Sequence, residues 1–358
     1  MPFLQTVNGL LPIALSIAIA AIGGVIASQV GLPMPYLLGA FLFVGAATLA
    51  NVRIFGVRPN LPMPLRNVFV AVIGVMIGGN FHPGIFLTLG QIWLPALGVL
   101  LFVVVSLLMN YLLFRKVGGY DRPTAFFGAM PGGLIESIEM GERAGADTHI
   151  LTLQQFTRIS LVITSLPFIF LIWTGEKVGS AAGVNLVSGG ITGAYVDWAV
   201  LALCAGVGLV GGRALRLPAS ILIGPMILSA AVHYFGLTQA APPISLIVLA
   251  QMIVGAGLGA RFRGFKKNEF TKVIALGLVS VALMLALDAT IVIGLQQFLD
   301  LPFDVLLISF APGGVTETAL IALSLHANPV FVTTLHVFRI LVTVTISSVA
   351  FKWLEKRG

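Results

Sequence analysis

The sequence predicts an all-α polytopic membrane protein of about ten transmembrane helices, built as two inverted-topology five-helix repeats with Pro-Gly-Gly helix breaks. Three observations carry that expectation. Hydrophobic residues make up 58% and charged residues 9% of the 358-residue chain, against roughly 45–50% and 25% in a globular domain. So few charges cannot coat a soluble surface of this size. Residues 1–52, 67–114 and 217–260 contain no Asp, Glu, Lys or Arg; a single span takes roughly 20 apolar residues, so each run holds two helices and a short turn. Finally, the chain repeats itself. Pro131, Gly132, Gly133 and Glu136 fall on Pro312, Gly313, Gly314 and Glu317, and the same offset carries Thr152, Arg158 and Ile159 onto Thr333, Arg339 and Ile340. Such self-similarity marks one unit used twice.

The first repeat is placed at residues 1–175, a linker rich in Gly, Ser, Asn and Thr at 176–195, and the second repeat at 196–358. The first span covers about 10–30, and nothing before it has the positive segment of a cleaved signal peptide, so it is read as retained. Gly31-Leu32-Pro33-Met34-Pro35 cannot continue a helix, because proline lacks the donor and clashes backwards. A second span follows at about 35–50, then a loop with Arg53, Arg58 and Arg66. The third, at about 67–80, carries Gly74 and Gly78 at a spacing that lets helix backbones approach closely. The fourth covers about 90–114 and ends at Arg115-Lys116.

Residues 123–147 hold the first Pro-Gly-Gly element, too short and too charged to span, and read as a re-entrant turn opening a short helix. The fifth span, about 149–173, carries Arg158 well inside. The second half repeats the plan with spans at about 196–212, 219–235, 244–260, 273–297 and 329–353. Its Pro-Gly-Gly element lies at about 303–326, and Leu217-Pro218 through Gly224 match Leu32-Pro33 through Gly39. Strict apolar/polar alternation is missing, which argues against an outer-membrane barrel.

Positive loops follow the second, fourth, sixth, eighth and tenth spans, among them Arg261, Arg263, Lys266, Lys267 and Lys272. The opposite ends carry Glu176, Asp197, Asp300 and Asp304. The positive-inside rule then puts both termini in the cytoplasm of a bacterial cell, the chain crossing the inner membrane many times. With five spans per half, the second unit is upside down relative to the first. The net charge of +7 reports this topology rather than nucleic-acid binding, since no basic face with interleaved aromatics lies outside the apolar segments.

The buried charges are the candidate chemistry. Arg158 and Arg339 each lie about ten residues into a helix, near the midplane at roughly 1.5 Å per residue. An Arg at that depth costs roughly 2.5–3.5 kcal/mol and must face the bundle interior, water or a partner. Its planar fork suits a carboxylate or phosphate, or it clamps a glutamate or the carbonyls of the broken segment. Both readings stand. Glu136 and Glu317 sit in the first turn opened by each Gly-Gly, where the helix dipole favours a carboxylate. They could exchange a cation or a proton, or simply cap and pair.

Asp288 is an acid in mid-span whose repeat-mate is Leu107, a candidate ion carrier or a hydrogen-bonded structural acid. Gln155 and His336 hold equivalent positions three residues before each Arg. Pro131, Gly132, Gly133, Pro312, Gly313 and Gly314 are backbone devices that stop a helix and bare its amides. Unwound backbone at membrane depth is tolerated only where it lines a cavity or is buried in protein. Five scattered histidines, a single cysteine at 204 and no G-x-S-x-G supply no catalytic or metal constellation.

The duplicated unit of Pro-Gly-Gly, Glu and Arg, with Leu32-Pro33…Gly39 and Leu217-Pro218…Gly224, resembles the AbrB-type duplicated membrane protein family over nearly the whole chain. That family shares its name with a small DNA-binding transcription factor, which this chain does not resemble. The resemblance implies a polytopic membrane protein; members have been labelled ammonia monooxygenases and linked to regulation of gene expression. The oxygenase label needs a ligand cluster the sequence does not offer. The regulatory link fits an indirect effect of what crosses the membrane.

The resulting expectation is a secondary transporter or exporter of a small, anionic solute working by alternating access. Arg158, Arg339, Gln155, His336 and the two turns would hold the solute, and Glu136, Glu317 or Asp288 would exchange a coupling H+ or Na+. No other cofactor or metal is expected. The partners are the lipid bilayer and a small-molecule or ion substrate, without nucleic acid, and with a homo-oligomer left open.

Overall fold

The computed structural model of the chain describes residues 2–54, 56–81, 92–175, 195–262, 267–325 and 327–355. The expected linker, but for Tyr195, lies outside the described residues, as do Glu176, Arg263, Lys266 and His326. Every named element is a helix. Among the described residues, seven helical stretches are long and apolar enough to cross a membrane: 10–30, 93–117, 148–173, 196–214, 244–262, 271–295 and 329–354. The second, third and seventh expected spans correspond to shorter apolar helices of 15, 17 and 15 residues.

In chain order these are α1 (Pro2–Val30), α2 (Pro35–Leu49), α3 (Met63–Gly79) and α4 (Trp93–Leu112), the last running into a π turn over Leu113–Val117. Then come α5 (Arg122–Gly128), α6 (Leu134–Arg143), α7 (Thr148–Thr174), α8 (Tyr195–Ala214), α9 (Ser220–Tyr234) and α10 (Ile244–Gly259). The chain closes with α11 (Lys267–Leu295), α12 (Phe303–Phe310), α13 (Val315–Ser324) and α14 (Pro329–Glu355).

Prolines open several of these helices because the missing N–H is one the first turn leaves unbonded anyway: α2 has Pro at its start, and Pro62, Pro243 and Pro302 precede α3, α10 and α12. Arg66, expected in a loop, therefore lies inside α3, which starts four residues early. Its aliphatic stem lies against Gly257, whose Cβ would stand 2.8 Å from the Arg66 Cδ. Stem on apolar backbone, charge at the rim, is how a long basic side chain is accommodated at a helix end.

Two compact units divide the chain, and each takes segments from both sequence halves. The first comprises residues 1–83, 167–264 and 319–330, the second 84–166, 265–318 and 331–358.

In the first unit α2 packs on α1 and α10, while α9 packs on α8 and α3. The contacts recur at matching positions. A Cβ at Gly39 would collide with the Gly23 carbonyl, and one at Gly224, 185 positions later, with the Gly208 carbonyl. Gly74 sits on the Leu222 carbonyl as Gly255 sits on that of Leu37, and Gly78 meets Met226 as Gly259 meets Phe41. The close approach expected of Gly74 and Gly78 is thus made, across halves. Even the strain recurs: Met34 and Ala219, each preceding a helix, take left-handed φ of 44° and 45°, a region costly to residues with a Cβ.

In the second unit, buried Phe114, Tyr120, Phe126, Phe127, Met130, Leu151, Leu276 and Phe351 belong to one apolar cluster. Phe127 and Phe351 rings stand 4.7 Å apart. Gly277 of α11 lets that helix close on α7, its Cβ position 2.8 Å from the Thr157 methyl.

Candidate functional site: two interrupted helices and their anchors

All thirteen residues singled out in the sequence lie in the second unit. Each Pro-Gly-Gly separates two short helices. α5 ends at Gly128 and α6 begins at Leu134; α12 ends at Phe310 and α13 begins at Val315. Gly133, the residue before α6, takes φ 70°, a conformation glycine adopts without steric cost.

A helix end leaves its last four carbonyls without intrahelical partners, and buried carbonyls must be paired. Here the next long helix supplies the donors. Gln155 of α7 donates from Nε2 to the Phe127 carbonyl at 2.9 Å, with Gly128 at 3.4 Å and Met130 at 3.5 Å. Arg158 donates from Nη1 to the Met130 carbonyl. In the second copy His336 of α14 donates from Nε2 to Ile308 at 2.9 Å. Arg339 donates from Nη1 to Phe310 at 2.9 Å and to Ala311, and from Nη2 to Gly313 at 2.9 Å. All four side chains are buried.

Both arginines thus hydrogen-bond turn carbonyls, and Gln155 and His336, expected at the solute, also bond carbonyls of the half-helices. The Nε of both arginines, the Gln155 Oε1 and the His336 Nδ1 have no hydrogen-bond partner.

The glutamates fold onto their own turns. A Glu136 oxygen lies 3.2 Å from where a Cβ on Gly133 would stand, and the Glu317 carboxylate lies against Gly314 in the same way. Both occupy the first turn of a short helix, where the dipole favours negative charge. Glu136 is half-buried and Glu317 buried.

Each turn also rests on the anchor helix of the other half. A Cβ on Gly132 would stand 3.5 Å from both Arg339 Nε and Thr343 Oγ1; one on Gly313 would stand 3.2 Å from a Val162 methyl. Arg158, Arg339, Asp288 and His336 are all buried side chains of this unit. Asp288 is fully buried and neither carboxylate oxygen has a hydrogen-bond partner. An ionised group so placed is costly unless paired.

Gln154 and Thr333, polar residues that flank the arginines in the sequence, are buried here with Gln154 Nε2 and Thr333 Oγ1 unpartnered, and sequence reasoning missed Thr157, Thr343 and Ser347, whose hydroxyls are also without partner. Thr343 and Ser347 lie four and eight residues past Arg339, the helical spacing that puts side chains on one face, and that spacing was the available signal. Among the described residues, no group of three or more His, Cys, Asp or Glu side chains could hold a metal ion. His233 lies in the first unit, bonded through its two ring nitrogens to the Ser229 and Ala240 carbonyls.

A family model described as "Transition state regulatory protein AbrB" matches residues 45–355. The chain is similar to "Uncharacterized protein YhjN" of Bacillus subtilis (strain 168), 27% identical over 347 residues, 92% of this chain and 90% of that protein. It is also similar to "Putative regulator AbrB" of Escherichia coli (strain K12), 27% identical over 320 residues, 88% and 89% of the two chains.

Proposed function

We propose a transport function for this chain, which belongs to the AbrB family. In this reading it is a secondary transporter or exporter that moves a small anionic solute across the bacterial inner membrane by alternating access. Ten spans form two inverted five-helix repeats, with both termini cytoplasmic. The recurrence of the Gly23/Gly39 contact as Gly208/Gly224, and of the Met34 strain at Ala219, supports that repeat.

The observation that carries the reading is the paired interruption. Two half-helix turns, each tied by a long-helix Arg and each resting on the other half's anchor helix, lie in one unit with an unpartnered buried acid. Secondary transporters place substrate and coupling ion at paired broken helices of this kind. Arg158 and Arg339 hold the turns in register and offer a free Nε to the solute, and Asp288, Glu136 or Glu317 exchanges the coupling H+ or Na+. The regulatory role in the name of the E. coli relative fits as an indirect consequence of the solute moved.

The test is uptake of acetate and inorganic phosphate, as probe anions, into proteoliposomes under an imposed pH or sodium gradient. Gradient-driven flux above protein-free vesicles is expected, and its loss in Asp288→Asn. Absence of flux for both probes, or wild-type flux in Asp288→Asn, Arg158→Ala and Arg339→Ala alike, overturns the reading.

A further inference from the structure

The buried polar groups are not distributed evenly between the two anchor helices. On α14, Thr333, His336, Arg339, Thr343 and Ser347 are each no more than 1% exposed, and each carries a polar atom with no hydrogen-bond partner. At about 100° per residue they fall within roughly a third of the helix circumference, and they extend over roughly 21 Å of helix at 1.5 Å per residue. That is most of a hydrocarbon core of about 30 Å.

Serine and threonine hydroxyls in an apolar helix ordinarily bond back to their own helix. Thr48, Thr164, Thr290 and Thr345 all do so, to the carbonyl four residues before. Thr333, Thr343 and Ser347 do not. A buried hydroxyl left without a partner is costly, and a row of them on one face needs a reason.

Three of the equivalent positions of α7 are polar as well, Thr152, Gln155 and Arg158, but the last two are not. Thr343 and Ser347 correspond, 181 positions earlier, to Val162 and Leu166, both fully buried apolar side chains. Consequently the two turns meet different surfaces. Gly132 rests beside the Arg339 Nε and the Thr343 hydroxyl, whereas Gly313 rests on the Val162 methyl.

We infer that this face of α14 is a hydrophilic lane, present in the second repeat only, along which a small acceptor-bearing solute of the carboxylate or phosphate class passes the first Pro-Gly-Gly turn. The inference rests on the transport reading and adds to it a path and an asymmetry. The lane offers three hydroxyl donors and the Arg339 Nε–H, in a line, to an oxyanion. A Cβ at Gly132 would only touch the two central donors, 3.5 Å from each. Two repeats that are alike in their backbone would thus differ in which of them touches the cargo.

The test needs no substrate. Cys204 is the single cysteine of the chain, so Cys204→Ser provides a background for Thr343→Cys, Ser347→Cys, Val162→Cys, Leu166→Cys and Val349→Cys, the last a lipid-side control that is 67% exposed. Each variant, checked for a monodisperse profile and a sharp melt, is placed in liposomes opened to both faces and treated with a charged, membrane-impermeant methanethiosulfonate. Thiols react as thiolates, which form in water and not in hydrocarbon, so Thr343→Cys and Ser347→Cys should be modified an order of magnitude faster than the other three. Inorganic phosphate or acetate at high concentration should slow them. Equal slow rates at all five positions overturn the lane. Equal fast rates at Val162→Cys and Leu166→Cys overturn its asymmetry and with it the inference. Because labelling is read without transport, a reactive lane in a protein that moves neither probe separates this inference from the transport reading.

Discussion

Arg339 donates to the carbonyl of Gly313 at 2.9 Å, tying the middle of the second anchor helix to the unwound turn that precedes it by 26 residues. With Phe310 and Ala311 on the other nitrogen, one side chain closes three backbone acceptors. Arg158 in the equivalent place closes Met130, which Gln155 also approaches at 3.5 Å. The two copies of one device are therefore unequally loaded.

That inequality predicts an ordering. Each buried acceptor left unpaired costs about 1–3 kcal/mol, so Arg339→Ala, which frees three, should destabilise by at least about 3 kcal/mol. Arg158→Ala should lose less, because Gln155 remains near Met130. Arg339→Lys should recover little, since a point charge cannot reach three carbonyls with a planar fork's geometry. Melting of the detergent-solubilised protein reads the order, and equal melting of the two alanine variants would contradict it.

The glycine contacts of the first unit separate into two classes. Gly39→Ala and Gly224→Ala drive a methyl into a facing carbonyl, and overpacking of that kind costs about 1–3 kcal/mol. Gly206 and Gly211 have nothing within 4 Å of a built Cβ; alanine there should be neutral or gain up to about 1 kcal/mol of helix propensity. A thermal-shift series over the four variants tests the division.

Ala219 precedes α9 with φ 45° and is half-buried. Left-handed backbone costs a Cβ-bearing residue roughly 1–2 kcal/mol, so Ala219→Gly should raise the melting temperature. Met34→Gly relieves the same strain but gives up a fully buried side chain, so it should melt lower. Opposite signs at two equivalent positions are the expected outcome.

Tyr120 lies just beyond the span ending at Val117, with its hydroxyl toward Gln154 and Lys272 5.3 Å over its ring. Burial pushes its phenol from 10.0 up to about 12. A folded-state value above the unfolded one stabilises below the unfolded value, and that contribution is lost as pH rises through the folded one. Stability should therefore fall between pH 10.0 and about 12, and Tyr120→Phe should flatten that limb of the profile. A Tyr120→Phe profile that falls as steeply as wild type would refute this.

Much of the site was legible in the sequence because backbone devices repeat in plain letters. Pro131-Gly132-Gly133 and Pro312-Gly313-Gly314 raised the expectation of interruptions, and α6 and α13 begin just after them. Arg158 and Arg339 were legible as anomalies, since charge in an apolar helix needs a partner. Their partner was not legible. Carboxylates and carbonyls were equally available in sequence, and only the geometry places the orphan carbonyls of α5 and α12 within reach of Gln155, Arg158, His336 and Arg339. Arg66 was misplaced into a loop for a related reason: whether a basic residue can lie in a helix depends on where its stem finds cover, here Gly257.

Composition and uncharged runs by themselves determined a helical membrane-type chain, because hydropathy is a property of the chain as written. Tertiary structure alone decided how the halves are shared out: each compact unit draws on both, and each turn rests on the other half's anchor helix. Hydrogen-bond partners and close glycine contacts join residues far apart in sequence. Their pairing is settled by which backbone groups a fold leaves unsatisfied and which side chain it brings to meet them.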